Sequence, residues 1–218
     1  MFSNACKIFF DLHCSVGGGS KGDKGKLHGT GCLLGPKHVI TARHIWSNIK
    51  KIYQYPSILK YDGIFKCKIV LESKEFDIVI LETEEIIENY DFPAPSVYPK
   101  IYSKIPSRGL LVGFSTTLRL NETEKPESHT AFFQAHVSMQ LHEHDFVLSN
   151  GVIQKGSSGS PVFTPSAELV GILIQNLQFS VDTGLLADQI ITTPVFSPLL
   201  PFKKIIENLV LKTVERSR

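Results

Sequence analysis

Gly156-Ser157-Ser158-Gly159-Ser160-Pro161, followed by the apolar pair Val162-Phe163, is the stretch on which the reading of this chain turns. A serine hydroxyl is a poor nucleophile near neutral pH. It needs a base beside it and hydrogen-bond donors aimed at the oxyanion it creates. With Gly156 and Gly159 on either side, the backbone can turn tightly enough to point the N–H groups of Gly156 and Ser158 at one spot while the Ser158 hydroxyl faces outward. Taken alone, the same residues also describe an ordinary Ser/Gly turn between strands, so the assignment depends on what lies upstream.

Two upstream stretches complete the chemistry. Val39-Ile40-Thr41-Ala42-Arg43-His44 is an apolar strand that ends in small residues and then a histidine, as is needed to hold an imidazole at a barrel rim. Phe76-Asp77-Ile78-Val79-Ile80-Leu81 places a carboxylate at the start of a strongly apolar strand. There it would be partly desolvated and in need of a partner. Bonded to His44 Nδ1–H, Asp77 would fix the tautomer and stabilise the imidazolium formed when Ser158 gives up its proton.

These residues resemble the trypsin/chymotrypsin-like serine peptidases. The Thr-Ala-x-His, Asp-Ile-x-x-Leu and Gly-x-Ser-Gly-x-Pro motifs of that family all occur here in the family's chain order. Their separations are similar to those of compact HtrA-type protease domains without a PDZ domain, as are Gly29-Thr30-Gly31 and Val112-Gly113-Phe114. The resemblance implies an all-β fold of two six-stranded antiparallel β-barrels of the chymotrypsin-like kind. It further implies a catalytic triad of His44, Asp77 and Ser158, an oxyanion hole from the Gly156 and Ser158 amides, and no cofactor. The residue six before the nucleophile, Val152, would form the base of the primary specificity pocket, with Ile174, Gln175 and Asn176 along its wall. An apolar base offers nothing to pair with a buried cation. The expected substrate therefore carries a small or medium apolar residue before the scissile bond. Ile174–Asn176 would also pair with the substrate backbone as an added strand.

Three departures from the family pattern matter. Ser157 stands where digestive members carry the Asp that pairs with a new N-terminus after activation. Ile45 follows His44, so the disulfide that often flanks the catalytic histidine is missing. Ile174 falls where a Ser or Thr often supports the catalytic Asp. The alternative reading is accordingly a catalytically idle or effector-gated double barrel that binds a protein partner.

Strand signals, short apolar or alternating runs between turn residues, fill most of the chain. They predict an N-terminal barrel over 1–90 carrying His44 and Asp77, from strands near Cys6–Cys14, Gly31–Leu34, His38–Thr41, Lys51–Tyr55, Phe65–Leu71 and Phe76–Glu82. Gly17–Lys26, rich in Gly and Lys, reads as a mobile hairpin loop. Pro93, Pro95, Pro99 and Pro106 mark a linker over 91–107. A C-terminal barrel over 108–200 would carry Ser158. Phe202, Ile205, Ile206, Leu209, Val210 and Val214 recur at helical spacing, which predicts a closing C-terminal α-helix over 201–218.

Composition narrows the partners. Lys+Arg 23 against Asp+Glu 21 leaves a net charge of +2, too little for a nucleic-acid footprint or an anionic membrane. No apolar run approaches the roughly 20 residues that span a bilayer, and no basic segment precedes an apolar one at the N-terminus. Cys6, Cys14, Cys32 and Cys67 form no CxxC pair and read as reduced, buried thiols. The expectation is a cytoplasmic protein acting on protein or peptide substrates, with an activating effector or partner protein as a further ligand. His142-Glu143-His144 could face one side of a strand as metal ligands do, but no third ligand accompanies them, so no metal is expected.

Overall fold

The computed structural model describes residues 12–20, 23–60, 63–87, 98–104, 110–119, 127–141, 144–149, 156–181 and 189–216. Among the described residues, twelve strands form two closed six-stranded barrels with antiparallel strand pairing. The first holds β1 (His13–Ser20), β2 (Asp23–Leu33), β3 (His38–Ala42), β4 (Tyr55–Lys60), β5 (Gly63–Ser73) and β6 (Ile78–Thr83), in the order β1-β2-β3-β6-β5-β4. The second holds β7 (Leu110–Arg119), β8 (Glu127–Leu141), β9 (Asp145–Leu148), β10 (Pro161–Phe163), β11 (Leu169–Val181) and β12 (Gln189–Pro198), in the order β10-β11-β12-β9-β8-β7. Helix α1 (Arg43–Ile49) follows β3. A short 3-10 turn (Leu200–Phe202) leads into helix α2 (Lys203–Arg216).

The strands that carry the site are the most deeply buried. Val39, Ile40, Ile78, Val79, Ile80 and Leu81 have no exposed surface. Each such side chain contributes about 1.5–3 kcal/mol by leaving water. Their register is therefore strongly fixed, because a one-residue slip would turn every one of them to the opposite face. Their core cluster runs from the first barrel into the second through Phe163, Leu169, Ile172, Ile174 and Val195, while Val162, Leu173 and Phe196 anchor a smaller one.

Two local expectations are corrected. Most of Gly17–Lys26 is strand: β1 extends through Ser20 and β2 begins at Asp23. The glycines here serve close packing, since a Cβ on Gly18 would lie 2.6 Å from Tyr53 Cγ and one on Gly19 would lie 2.7 Å from Tyr55 Cε2. Lys51–Tyr55 is mainly the exit from α1, with the amides of Ile52 and Tyr53 donating to the Ile49 carbonyl, and the strand starts only at Tyr55. The α1 stripe of buried Ile45 and Ile49 was hidden in sequence by its brevity. The expected first strand, Cys6–Cys14, falls largely outside the described residues. Within the expected linker, 98–104 is tied to the second barrel. Ile101 is buried and bridges Leu169, the Tyr102 amide donates to the Leu169 carbonyl, and the Leu169 amide donates to that of Lys100.

The barrels also meet at one tight backbone contact. The Thr30 amide on β2 donates to the Ser158 carbonyl at 2.8 Å. A Cβ on Gly159, whose φ is +84°, would lie 2.0 Å from the Thr30 carbonyl oxygen and 2.3 Å from Thr41 Oγ1. Neither neighbour can yield easily, because Thr41 Oγ1 itself donates to that carbonyl at 2.6 Å. Gly159→Ala is expected to destabilise the fold by about 2–4 kcal/mol, combining backbone strain with overpacking; urea unfolding at constant pH measures this, and a loss no larger than that of a surface Gly→Ala change would contradict the contact.

Buried histidines give the fold a pH dependence. His13 is pushed down to about 4, by burial first and then by the Lys60 ammonium; the Lys60 ammonium donates to the His13 carbonyl. Burial also lowers His38. Between about pH 6.5 and 4 the unfolded chain binds a proton at residue 13 that the folded chain refuses, so stability falls as pH falls through that window. The loss attributable to His13 is expected to reach about 3 kcal/mol. Urea midpoints at pH 7 and pH 5 should differ clearly in the wild type and less in His13→Gln; equal slopes for the two proteins would contradict it.

Candidate active site at the barrel rim

Register brings the first two site residues together. Ala42, the last residue of β3, pairs with Ile78, the first of β6. The residues just beyond that pair, His44 in the first turn of α1 and Asp77 before β6, therefore emerge side by side at the same rim. Two backbone bonds from the α1 start seat the Asp: the Arg43 amide donates to the Asp77 carbonyl and the His44 amide to Asp77 Oδ1, at 2.8 and 2.9 Å. Asp77 adopts a φ of +50°, a region that Asp tolerates better than most side chains. That twist leaves Oδ2 2.6 Å from His44 Nδ1. Arg43 reinforces the turn from outside through an ion pair with Glu72 at 2.5 Å.

The carboxylate is less enclosed than its sequence context suggests. Its side chain is 26% exposed and that of His44 is 33% exposed. Both bonds described for the carboxylate come from residue 44, one to each oxygen. Ile174 is buried on β11 and carries no hydroxyl. Phe76, beside Asp77, meets the His144 ring in a tilted arrangement at 4.5 Å and meets Phe202 edge-on at 5.1 Å. His144 Nε2 lies 2.6 Å from Glu75 Oε1. Thus His144 braces the Asp77 turn from the second barrel; His142 and Glu143 lie outside the described residues.

The serine loop approaches from the other side. Gly156 and Gly159 both have positive φ, +106° and +84°. The Gly159 amide donates to the Leu173 carbonyl and that of Ser160 to the Ser157 carbonyl, at 2.7 and 2.9 Å. Ser157 is fully buried, whereas Ser158 is partly exposed at the rim. The place a Gly159 Cβ would take lies 3.1 Å from the Ala42 amide nitrogen, two residues before His44, so the loop is packed against the segment that launches the histidine. Among the described residues no hydrogen bond joins Ser158 Oγ to His44. In unliganded sites such contacts are commonly long and tighten only when substrate binds.

The remaining candidate residues divide. Ile174 is buried at a β-bulge in β11, and Gln175 and Asn176 are exposed just beyond it. No described strand pairs with the β10 side of Ile174–Asn176, because β10 pairs only as far along as Ile172. Val152 lies outside the described residues. Sequence reasoning missed the part played by Thr30 and Thr41. Gly29-Thr30-Gly31 stood out only as a family likeness, and nothing local in the sequence signals a contact to a loop 126 residues away.

Comparison with known proteins agrees with this architecture. A family model for the trypsin-like peptidase domain matches residues 29–172. Among solved structures, the chain is similar to the serine endoprotease from Yersinia pestis, with a TM-score of 0.62 and 17% identity, over 96% of this chain and 66% of that one. It therefore spans just under two thirds of that protein. It is also similar to the MamO protease domain from Magnetospirillum magneticum in its apo form, with a TM-score of 0.59 and 16% identity, over 89% of this chain and 95% of that one. No curated protein matches the sequence. The family match runs from before His44 to beyond Ser158 and takes in both sides of the barrel contact: this chain belongs to the trypsin-like peptidase domain family.

Proposed function

We propose that the protein is a serine endopeptidase that works through an acyl-enzyme on Ser158. The observation that carries this reading is the His44–Asp77 pair, with Nδ1 and Oδ2 2.6 Å apart at the rim where the Ser158 loop docks. With Nδ1–H given to Asp77, His44 Nε2 is left free to take the Ser158 proton as the hydroxyl oxygen attacks a peptide carbonyl carbon. The Gly156 and Ser158 amides would stabilise the resulting oxyanion. His44 then passes the proton to the leaving amine, and water repeats the sequence to release the acyl group. Asp77 orients the ring and offsets the charge of the imidazolium.

A peptide added along the free edge of Ile174–Asn176 would present its side chain to the pocket that the resemblance assigns to Val152. Ile174 and Val152 are apolar, which supports cleavage after a small or medium apolar residue. The free, buried thiols of Cys14, Cys32 and Cys67 support a reducing compartment such as the cytoplasm. One observation favours a gated form of the same reading: the missing Ser158–His44 bond would be closed by a substrate or effector. Turnover that rises when a non-cleavable peptide or another partner is added separates that form from a site already formed.

Turnover of a fluorogenic peptide library tests the assignment. Ser158→Ala and His44→Ala are each expected to lower kcat by about 10⁴–10⁶, and Asp77→Asn by about 10⁴ through the wrong tautomer. Residual activity of Ser158→Ala close to the wild type would refute Ser158 as nucleophile. In the same library, wild-type turnover should be greatest with Ala, Val or Leu before the cleaved bond. A strong preference for Arg, Lys, Asp or Glu would overturn the apolar pocket.

A further inference from the structure

We propose that Thr30 is a positioning residue whose hydroxyl, reaching across from the first barrel, holds the oxyanion loop in its working conformation. The inference rests on the acyl-enzyme reading above. Thr30 has no exposed surface, and its three hydrogen-bonding groups are all engaged. Its amide donates to the Ser158 carbonyl at 2.8 Å, and its hydroxyl donates to the Gly156 carbonyl at 2.9 Å. Its own carbonyl receives the Thr41 hydroxyl at 2.6 Å. The result is a clamp on both residues whose amides would form the oxyanion hole, and it is fixed to the strand beside the one that launches His44.

The hydroxyl has a task that the backbone bond does not perform. Gly156 sits at φ +106°, and without a Cβ it can swing between several backbone wells at little cost. Holding its carbonyl fixes the peptide plane between Gly156 and Ser157 and so restrains ψ, which leaves φ as the one remaining rotation that can turn its own N–H. Ser157 occupies the place where an Asp would fix this loop through a new N-terminus, and the Thr30 hydroxyl supplies a restraint of another kind. Oxyanion donors are effective only when preorganised, so losing the restraint should slow chemistry more than it weakens substrate binding.

The test compares Thr30→Val, which keeps the shape and the backbone bond but removes the hydroxyl, with Thr30→Ser, which keeps the hydroxyl. On a fluorogenic peptide, Thr30→Val is expected to lower kcat by about 10- to 100-fold with little change in KM, somewhat less than removal of an oxyanion donor itself. Thr30→Ser should recover most of that loss. Amide hydrogen exchange on the same proteins should show faster exchange confined to 156–160 in Thr30→Val and wild-type protection in Thr30→Ser. A folded Thr30→Val with wild-type kcat and exchange would overturn the proposal, as would equal losses in the Val and Ser variants, which would mean that packing alone matters. If Thr30→Val does not fold, Thr30→Ala is read against Thr30→Ser in the same way. If the wild type turns over no peptide, the acyl-enzyme reading fails, and the exchange comparison still decides whether the hydroxyl holds the loop.

Discussion

Gly159 rests against the Thr30 carbonyl and the Thr41 hydroxyl with no space for a side chain, and this seat is the constraint on which the site depends. The apolar cluster that runs from one barrel into the other is non-directional and does not by itself hold a loop at a fixed height above the rim. Here a backbone amide, a threonine hydroxyl and a glycine in a positive-φ conformation set that height within hydrogen-bond tolerance. The seat is built on buried backbone, since Gly29–Leu33 of β2 and the whole of β3 are buried. Any looseness in their register would pass directly to both the serine loop and the histidine.

Within the first barrel, His44 and Asp77 are joined by an equally economical device. The Ala42–Ile78 pair ends one strand and begins another, so the two candidate residues, His44 and Asp77, lie within two positions of it at the same rim. The positive φ of Asp77 then turns its carboxylate back toward the start of α1, where one oxygen meets a backbone amide and the other the imidazole. Such a carboxylate gains from charge-assisted bonds while remaining partly hydrated.

Much of this was legible in the sequence. The apolar runs around Val39 and Ile78 announced buried strands because both faces must leave water, and the positions of His44 and Asp77 at their ends fixed which rim they share. Gly156 and Gly159 announced a tight loop, and both do adopt positive φ. What stayed hidden was non-local. The glycines of β1 read as flexible because the rings of Tyr53 and Tyr55 that cover them come from a distant segment. Helix α1 is only 7 residues long, too short for periodicity to reveal. His144 reads as one of a pair of strand histidines until Glu75 and Phe76 are placed against it. Thr30 is an ordinary strand threonine until the loop it grips arrives from the other barrel.

The central claim is that the Ser158 hydroxyl is activated by an imidazole that Asp77 orients. Intact-mass measurement after exposure to a fluorophosphonate, followed by peptide mapping, examines it most directly. A single adduct mapped to Ser158, absent from Ser158→Ala and strongly slowed in His44→Ala, is the result this account predicts. An unmodified protein, or an adduct formed at the same rate without His44, would contradict it.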